Sequence, residues 1–196
     1  MPIRKERSDA AAHRRLILET ARNLFSQYGV SEVSMHQIAK TAGIGQGTLY
    51  RRYAHKGDLC SDLMEDTGQR LLDELERDLA DISGREAAER LGLVMDRIID
   101  FIDEKCQFLI PLHNVYACET DRTAFFRSPI YLRVKELVTK LYDEMRTDNG
   151  EKEKSAFAAH ALLSSLNPIG YLHLRNELGY SKDAIKQYYR CLYSRV

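Results

Sequence analysis

The chain has no stretch of the roughly 18–20 apolar residues that crossing a bilayer requires, so no membrane span is expected. Its opening, Met1-Pro-Ile-Arg-Lys-Glu-Arg7, is charged with no apolar segment behind it, which argues against a secretory leader. The four cysteines, at 60, 106, 118 and 191, form no CxxC pair and no regular framework. Reduced thiols in a cytoplasmic protein fit them better than disulfides or a structural zinc. His113, His160 and His173 lack metal-ligand spacing, and each reads better as a satisfied or exposed side chain. No GxSxG, HExxH or Walker pattern occurs. Gly43-Ile-Gly45-Gln-Gly47 glances at a dinucleotide fingerprint, but its third glycine is misplaced and no strand precedes it. Strand patterns and internal repeats are missing as well. No metal, no cofactor and no enzymatic activity are expected.

Net charge is absent too, since 29 Lys/Arg balance 29 Asp/Glu. The distribution is uneven, however. Residues 1–56 carry ten Lys/Arg against four Asp/Glu, a net +6, and the remainder carries 19 against 25, a net −6. A basic N-terminal quarter on an acidic body is the footprint of a segment that meets phosphates beside one that does not.

What is present is helical periodicity. From about Ala11 to Tyr28, apolar residues recur at steps of three and four (Leu16/Ile17, Ala21, Leu24/Phe25, Tyr28), and Gly29 closes the helix. Residues 1–12 are polar and basic. Arg4, Lys5 and Arg7 suit an arm along a DNA backbone or, equally, a mobile solvated tail. Ser34 with Gln37 forms a capping-box signature that opens a short helix containing Ile38, Ala39 and Ala42. Gly43 ends it, because a residue just past a helix C-terminus often needs positive φ. Ile44 plugs the turn and Gly45 occupies the cap of a second short helix. There Leu49 and Tyr53 share one face, leaving Gln46, Thr48, Tyr50 and Arg51 outward. An ordinary αα-hairpin would show the same spacing. But a helix this short is unstable alone, and its outward side chains suit base edges and phosphates, so the stretch reads as a DNA-reading helix-turn-helix.

Further along, a fourth helix is expected to about Leu79, with Leu59, Leu63, Leu71/Leu72 and Leu75 inward. Ser83-Gly-Arg-Glu86 reads as a second capping box opening a fifth helix to about Lys105, and residues 107–119 as a sixth piece with Pro111 near its start. Residues 120–127 read as a loop with a Phe125-Phe126 plug, and Ser128-Pro129 starts a seventh helix to about Met145, ended by Asn149-Gly150. The eighth, about Lys152 to Glu177, is expected to kink at Pro168. Leu178-Gly179-Tyr180 stops it, and a last helix spans about Ser181 to Tyr193. The fold class is all-α with about nine helices.

Ile17-x-x-x-Ala21-x-x-Leu24-Phe25-x-x-x-Gly29 followed by Ile38-Ala39-x-x-Ala42-Gly43-Ile44-x-x-Gly47-Thr48-Leu49-Tyr50-x-x-Tyr53-x-x-Lys56 resembles the DNA-binding domain of TetR-family transcriptional regulators over roughly residues 13–60. The resemblance implies a helix-turn-helix domain over 1–56 and a helical ligand-binding and dimerisation domain over 57–196. The protein would then be a ligand-responsive homodimeric repressor of a palindromic double-stranded DNA operator. Gln46, Gly47, Thr48, Tyr50 and Arg51 would approach the major groove, while Ser34, Gln37, Arg52, Tyr53 and Lys56 would hold phosphates. His55, in place of a better N-cap, and Gly57, a poor helix former, depart from the family pattern and are expected to loosen the junction after this domain.

The eighth helix is apolar on more than one side, and two half-sites call for a twofold dimer. Phe157, Ala161, Leu162, Ser165, Tyr171, Ile185 and Tyr189 are the expected interface residues. An unknown small-molecule effector would sit among Phe101, Phe108, His113, Tyr116, Phe125, Phe126, Tyr142 and Leu166, each of which also reads as plain core. The alternative from another class is a helical small-molecule-binding or enzymatic body with the N-terminal domain as a tether. No nucleophile–base pair in the sequence supports it.

Overall fold

The computed structural model describes residues 3–118, 124–145 and 152–194; at 3–10, 66, 111–118, 124 and 152 the description stops at the backbone. Among these residues there are helices and no strand. They are α1 (Ile3–Tyr28), α2 (Met35–Thr41), α3 (Gln46–Arg52), α4 (Lys56–Asp81), α5 (Ala87–Cys118), α6 (Pro129–Met145), α7 (Lys152–Ser165), α8 (Pro168–Leu172) and α9 (Lys182–Tyr193).

Local chemistry sets most of the boundaries. Gly29, Gly43 and Gly179 follow helical segments with φ of 81°, 66° and 73°, a conformation that side-chain-bearing residues resist. Ser34, Ser128 and Ser181 each accept, through Oγ, a backbone N–H three residues on (Gln37, Tyr131 and Ala184). The Asn149-Gly150 stop lies outside the described residues.

Four expectations are corrected. α1 begins at Ile3, so most of the N-terminal segment read as an arm or tail is helical backbone. Ser83 does not cap α5. The carbonyl of Glu86 accepts from Glu89 and Arg90 N–H, and the helix starts at Ala87. The separate fifth and sixth helices are one helix that passes Pro111, although a proline there removes the N–H that would bond to the Gln107 carbonyl. Packing of the stripe before it, with Ile98, Ile99 and Ile102 buried and Phe108 against Phe25, outweighs that local loss. At Pro168 the chain breaks instead of kinking. Leu166 and Asn167 leave the helix, Asn167 Oδ1 accepts from Gly170 N at 2.8 Å, and Pro168 becomes the first residue of α8. α8 then runs into a π-helical turn, His173–Glu177.

The chain divides into two compact units: Met1–Asp66 with Gln107–Cys118, and Thr67–Cys106 with Glu119–Val196. The division falls inside α4 and α5, beyond the boundary at residue 56 expected from sequence. The first unit is built on Ile17, Ala21, Phe25, Val33, Ile38 and Leu49 from α1–α3 and their connections, closed by Leu59, Cys60 and Leu63 of α4. Phe108 of α5 joins it, its ring edge-on to Phe25 with centroids 6.1 Å apart. Within the second unit, α6 packs on α7. The short 3-10 turn Ala124–Arg127 lays Phe125 and Phe126 on Tyr131, with centroids 5.4 and 5.2 Å away, and Phe126 also meets His160 at 5.1 Å. An ion-pair ladder fastens α9 to α5. Lys182 reaches Asp100 and Asp103 at 3.1 and 3.3 Å, Lys186 reaches Asp100 at 2.7 Å, and Arg190 binds Asp96.

Candidate nucleic-acid interface

The first unit presents α3 on a rigid base. Ser34 caps α2, and the turn is closed by Gly43 N–H donating to Lys40 O at 3.2 Å and Ile44 N–H donating to Ala39 O at 3.0 Å. Ile44 is half-buried against the core, and Leu49 is fully buried. With Leu49 pointing inward, helical geometry turns Gln46, Gly47, Tyr50 and Arg51 outward. All four are exposed, as is Arg52, while Thr48 is half-buried. At Gly47 an added Cβ would meet nothing within 4 Å, so the fold itself places no demand on glycine there. Ser34 is exposed and Gln37 half-buried at the start of α2, so both stand at the edge of this surface.

Two expected phosphate contacts have other employment. Tyr53 is buried, 4 % exposed, and its hydroxyl donates to the Asp62 carboxylate. Burial, reinforced by that acceptor, pushes the phenol up to about 12. Tyr53 sits at the C-cap of α3, where the chain becomes extended and the ring rotates into the core. Lys56 Nζ donates to Val30 O at 2.7 Å and Ser31 O at 3.2 Å, tying the start of α4 to the loop after α1. The junction expected to be loose is also capped. His55 Nδ1 accepts from Asp58 N–H at 3.3 Å, and Asp58 Oδ2 accepts from Ala54 N–H at 2.9 Å. An imidazole thus performs the capping role that a serine or threonine performs elsewhere.

Sequence reasoning missed Arg14 and Asp62. Arg14 of α1 donates to Asp62 of α4 through Nε at 2.9 Å and through a second nitrogen, and the same carboxylate takes the Tyr53 hydroxyl. Three elements therefore meet on one carboxylate. Burial pushes the Asp62 carboxyl up, yet the hydrogen bonds from Arg14 and Tyr53 together overcome it and hold the group below its usual value. A group lowered in this way stabilises the fold above the ordinary carboxylate range, and that contribution disappears as pH falls through the folded value. Asp62→Asn is expected to cost about 2 kcal/mol at pH 7 by leaving a guanidinium and a buried hydroxyl short of their acceptor. Urea unfolding should show the difference from the parent shrinking as pH drops from about 7 to below about 4; a constant difference would contradict the carboxylate's role. Pairs so far apart in sequence leave no local pattern to find.

Among the described residues, the expected ligand-lining set is divided between the two units. Phe108 belongs to the first unit's core, against Phe25. Tyr142 is fully buried, its hydroxyl donates to the Tyr193 carbonyl at 3.3 Å, and burial pushes it up to about 12. Phe101 and Leu166 are half-buried, and the side chains of His113 and Tyr116 lie outside those described. Phe125 and Phe126 pack on Tyr131 and His160, whose hydroxyl and Nδ1 are themselves hydrogen-bonded. An open depression of about 610 Å³ lies between the start of α5 and the end of α9, bordered by Arg85, Glu89, Leu93, Arg190 and Cys191, and it includes none of the expected residues.

The expected dimer residues divide. Leu162, Tyr171 and Ile185 are buried within the unit, 0 %, 5 % and 2 % exposed, and Tyr171 donates its hydroxyl to Asp103. A helical stripe announces burial without saying what covers it, and here their own unit does. Ser165 and Tyr189 are turned to internal bonding: Tyr189 Oη donates to the Ser165 carbonyl at 3.0 Å, and Tyr193 Oη to Ser165 Oγ at 3.2 Å. Ala161 is half-buried, whereas Phe157 is 73 % exposed. Leu192 and Tyr188 of α9, not in the expected set, are 72 % and 54 % exposed. Among the described residues no helix is long and apolar enough to cross a membrane.

A short exposed helix carrying Gln, Tyr and Arg, braced by a glycine-closed turn on a three-helix base, defines a helix-turn-helix DNA-binding transcriptional regulator. The chain belongs to the tetR family of bacterial regulatory proteins, whose sequence profile matches residues 17–63. An HTH-type transcriptional regulator of Staphylococcus aureus strain USA300 is 30 % identical over 190 residues, covering 95 % of either chain. Among solved structures, the fold resembles Thermus thermophilus FadR, a TetR-family transcriptional repressor in complex with lauroyl-CoA (20 % identity, 91 % and 92 % of the two chains, TM-score 0.66). It also resembles a transcriptional regulator from Saccharomonospora viridis in complex with choline (18 % identity, 94 % and 97 %, TM-score 0.66).

Proposed function

We propose that this regulator is a homodimeric repressor that binds a palindromic operator and is released by a small molecule held in its second unit. The observation that carries the reading is the outward face of α3. Gln46, Gly47, Tyr50 and Arg51 are exposed around a fully buried Leu49, a face with hydrogen-bonding and aromatic groups and no acid. Gln46, Tyr50 and Arg51 supply base-edge contacts, with Gly47 allowing close approach and Thr48 at the margin. Ser34, Gln37 and Arg52 serve phosphates, contacts that position the head without reading sequence, and Lys56 is left out because its ammonium is bonded to the Val30 and Ser31 carbonyls. Tyr53 is left out of that set because its hydroxyl serves Asp62.

The partner is a second copy of the chain, docked through α7 and α9, where Phe157, Tyr188 and Leu192 are 73 %, 54 % and 72 % exposed. The effector is a small molecule, in keeping with the lauroyl-CoA and choline complexes of proteins sharing this fold. It works only to the extent that it binds one arrangement of the two heads better than the other. Fluorescence anisotropy on duplexes from the promoter of the protein's own gene tests the reading. Affinity should fall steeply, on the order of a hundredfold or more between about 50 and 200 mM salt, as release of several counterions demands. An affinity flat across that range would overturn DNA binding by this face.

A further inference from the structure

His36 lies on α2, one residue past its start, exposed and outside the core. Gln46 is the first residue of α3. The cap before it, Gly45, has no side chain, so the start of α3 makes no use of the Gln46 amide. The Gln46 amide is instead joined across the turn to His36, with Gln46 Nε2 donating to His36 Nδ1. The bond links the supporting helix of the motif to the first side chain of the reading helix.

We propose that His36 is a specificity-positioning residue: by holding one N–H of Gln46 it fixes the orientation of the amide and commits Gln46 to adenine. The inference rests on the reading of α3 as the base-contacting helix. A glutamine amide has one acceptor oxygen and a two-proton donor nitrogen, and the two ends nearly superimpose when the group is rotated by half a turn. Unconstrained, it offers either end to a base edge, and guanine or thymine, which show acceptors in the major groove, would be met by the nitrogen. With one N–H spent on His36, the second N–H and the oxygen face outward side by side. That pair matches adenine, which accepts at N7 and donates from N6, whereas guanine places its O6 acceptor against the amide oxygen. Flipping the amide to suit guanine would bring its oxygen to Nδ1, and the brace would then persist only with the imidazole proton moved to that nitrogen. His36 itself touches no base in this arrangement. It selects which of two readings the neighbouring residue gives.

The experiment uses the full chain and a pool of randomised duplexes, followed by competition among duplexes carrying each base at each position of the enriched half-site. The wild type should prefer adenine over guanine about tenfold at one position, repeated symmetrically. Gln46→Ala should flatten that position. His36→Ala should reduce the same preference to about twofold, leave every other position unchanged, and keep the thermal midpoint of the wild type. His36→Gln, which returns an acceptor oxygen within reach, should restore most of the preference, a result that a purely structural brace would not produce at a single base pair. A His36→Ala profile identical to the wild type overturns the proposal. So does a loss confined to a position that Gln46→Ala leaves intact, which would put His36 on the DNA itself, or a shared position that prefers a base other than adenine. Should the wild type enrich no sequence at all, the reading of α3 falls first and this inference with it.

Discussion

Replacing Tyr50 and Arg51 together by alanine lowers affinity for an operator duplex by at least about thirtyfold and leaves the folded state in place. Each well-placed base contact contributes about 1–3 kcal/mol, so removing two reaches that range when their effects add. Neither side chain supports the core. Both are exposed, Tyr50 by 47 %, while the residue between Thr48 and Tyr50, Leu49, carries the packing. The thermal midpoint should therefore stay within about 2 °C of the parent, as for other surface substitutions. Lys56→Ala is a poorer probe, because it also strips the Val30 and Ser31 carbonyls of their donor and mixes a stability loss with any phosphate effect. Gel shift and anisotropy with the double variant give the answer. Affinity within about threefold of wild type would show that another surface reads the DNA.

A larger change in assembly is expected from Phe157→Glu combined with Leu192→Asp. Phe157 of α7 and Leu192 of α9 are 73 % and 72 % exposed, and the two helices are joined by Tyr189 and Tyr193 bonding to Ser165. Burying such a side chain stabilises by about 1.5–3 kcal/mol, and a twofold interface buries each of them twice. Introducing carboxylates there removes that gain and adds an uncompensated charge, so the dissociation constant of the dimer should rise at least about a thousandfold. Sedimentation should show a monomer with wild-type circular dichroism. DNA affinity should collapse too, because each head then binds without the effective concentration supplied by its twin. A dimer that persists would move the interface elsewhere. Leu162, Tyr171 and Ile185, which sequence pattern alone nominated, are unsuitable for the same test, since charges there would unfold the second unit.

Those three residues show where reading the sequence stopped. Helix ends governed by one residue's own conformational preference were legible: glycines 29, 43 and 179 adopt positive φ, and Ser34 and Ser128 cap as their spacing implied, while Ser181, read as the start of the last helix, is its cap. The helix-turn-helix, a run of local signals, was legible almost residue by residue. What failed were expectations in which two chemistries compete. Pro111 opposes a helix that nevertheless continues past it, Ser83 resembles a cap but lies in the turn before one, and His55 caps despite being an unusual choice. Tyr53 and Lys56 have side chains able to serve phosphates, yet Asp62 and two carbonyls claim them first. Arg14 with Asp62, and His36 with Gln46, could be paired only once the chain was folded.

Phe108 bears on how the molecule is made. The DNA-reading unit is assembled from two separated stretches of chain, Met1–Asp66 and Gln107–Cys118, with Phe108 closing on Phe25. During synthesis at roughly 5–20 residues per second, several seconds pass between the emergence of the first stretch and the second. In that interval the helix-turn-helix has its turn and caps but one wall of its hydrophobic centre is missing. The reading head is thus not a detachable cassette. A fragment cut near residue 66 would carry every side chain proposed to contact bases and still lack the ring that finishes its interior, and the head reaches full stability only after Thr67–Cys106, the first stretch of the second unit, has left the ribosome with the segment behind it.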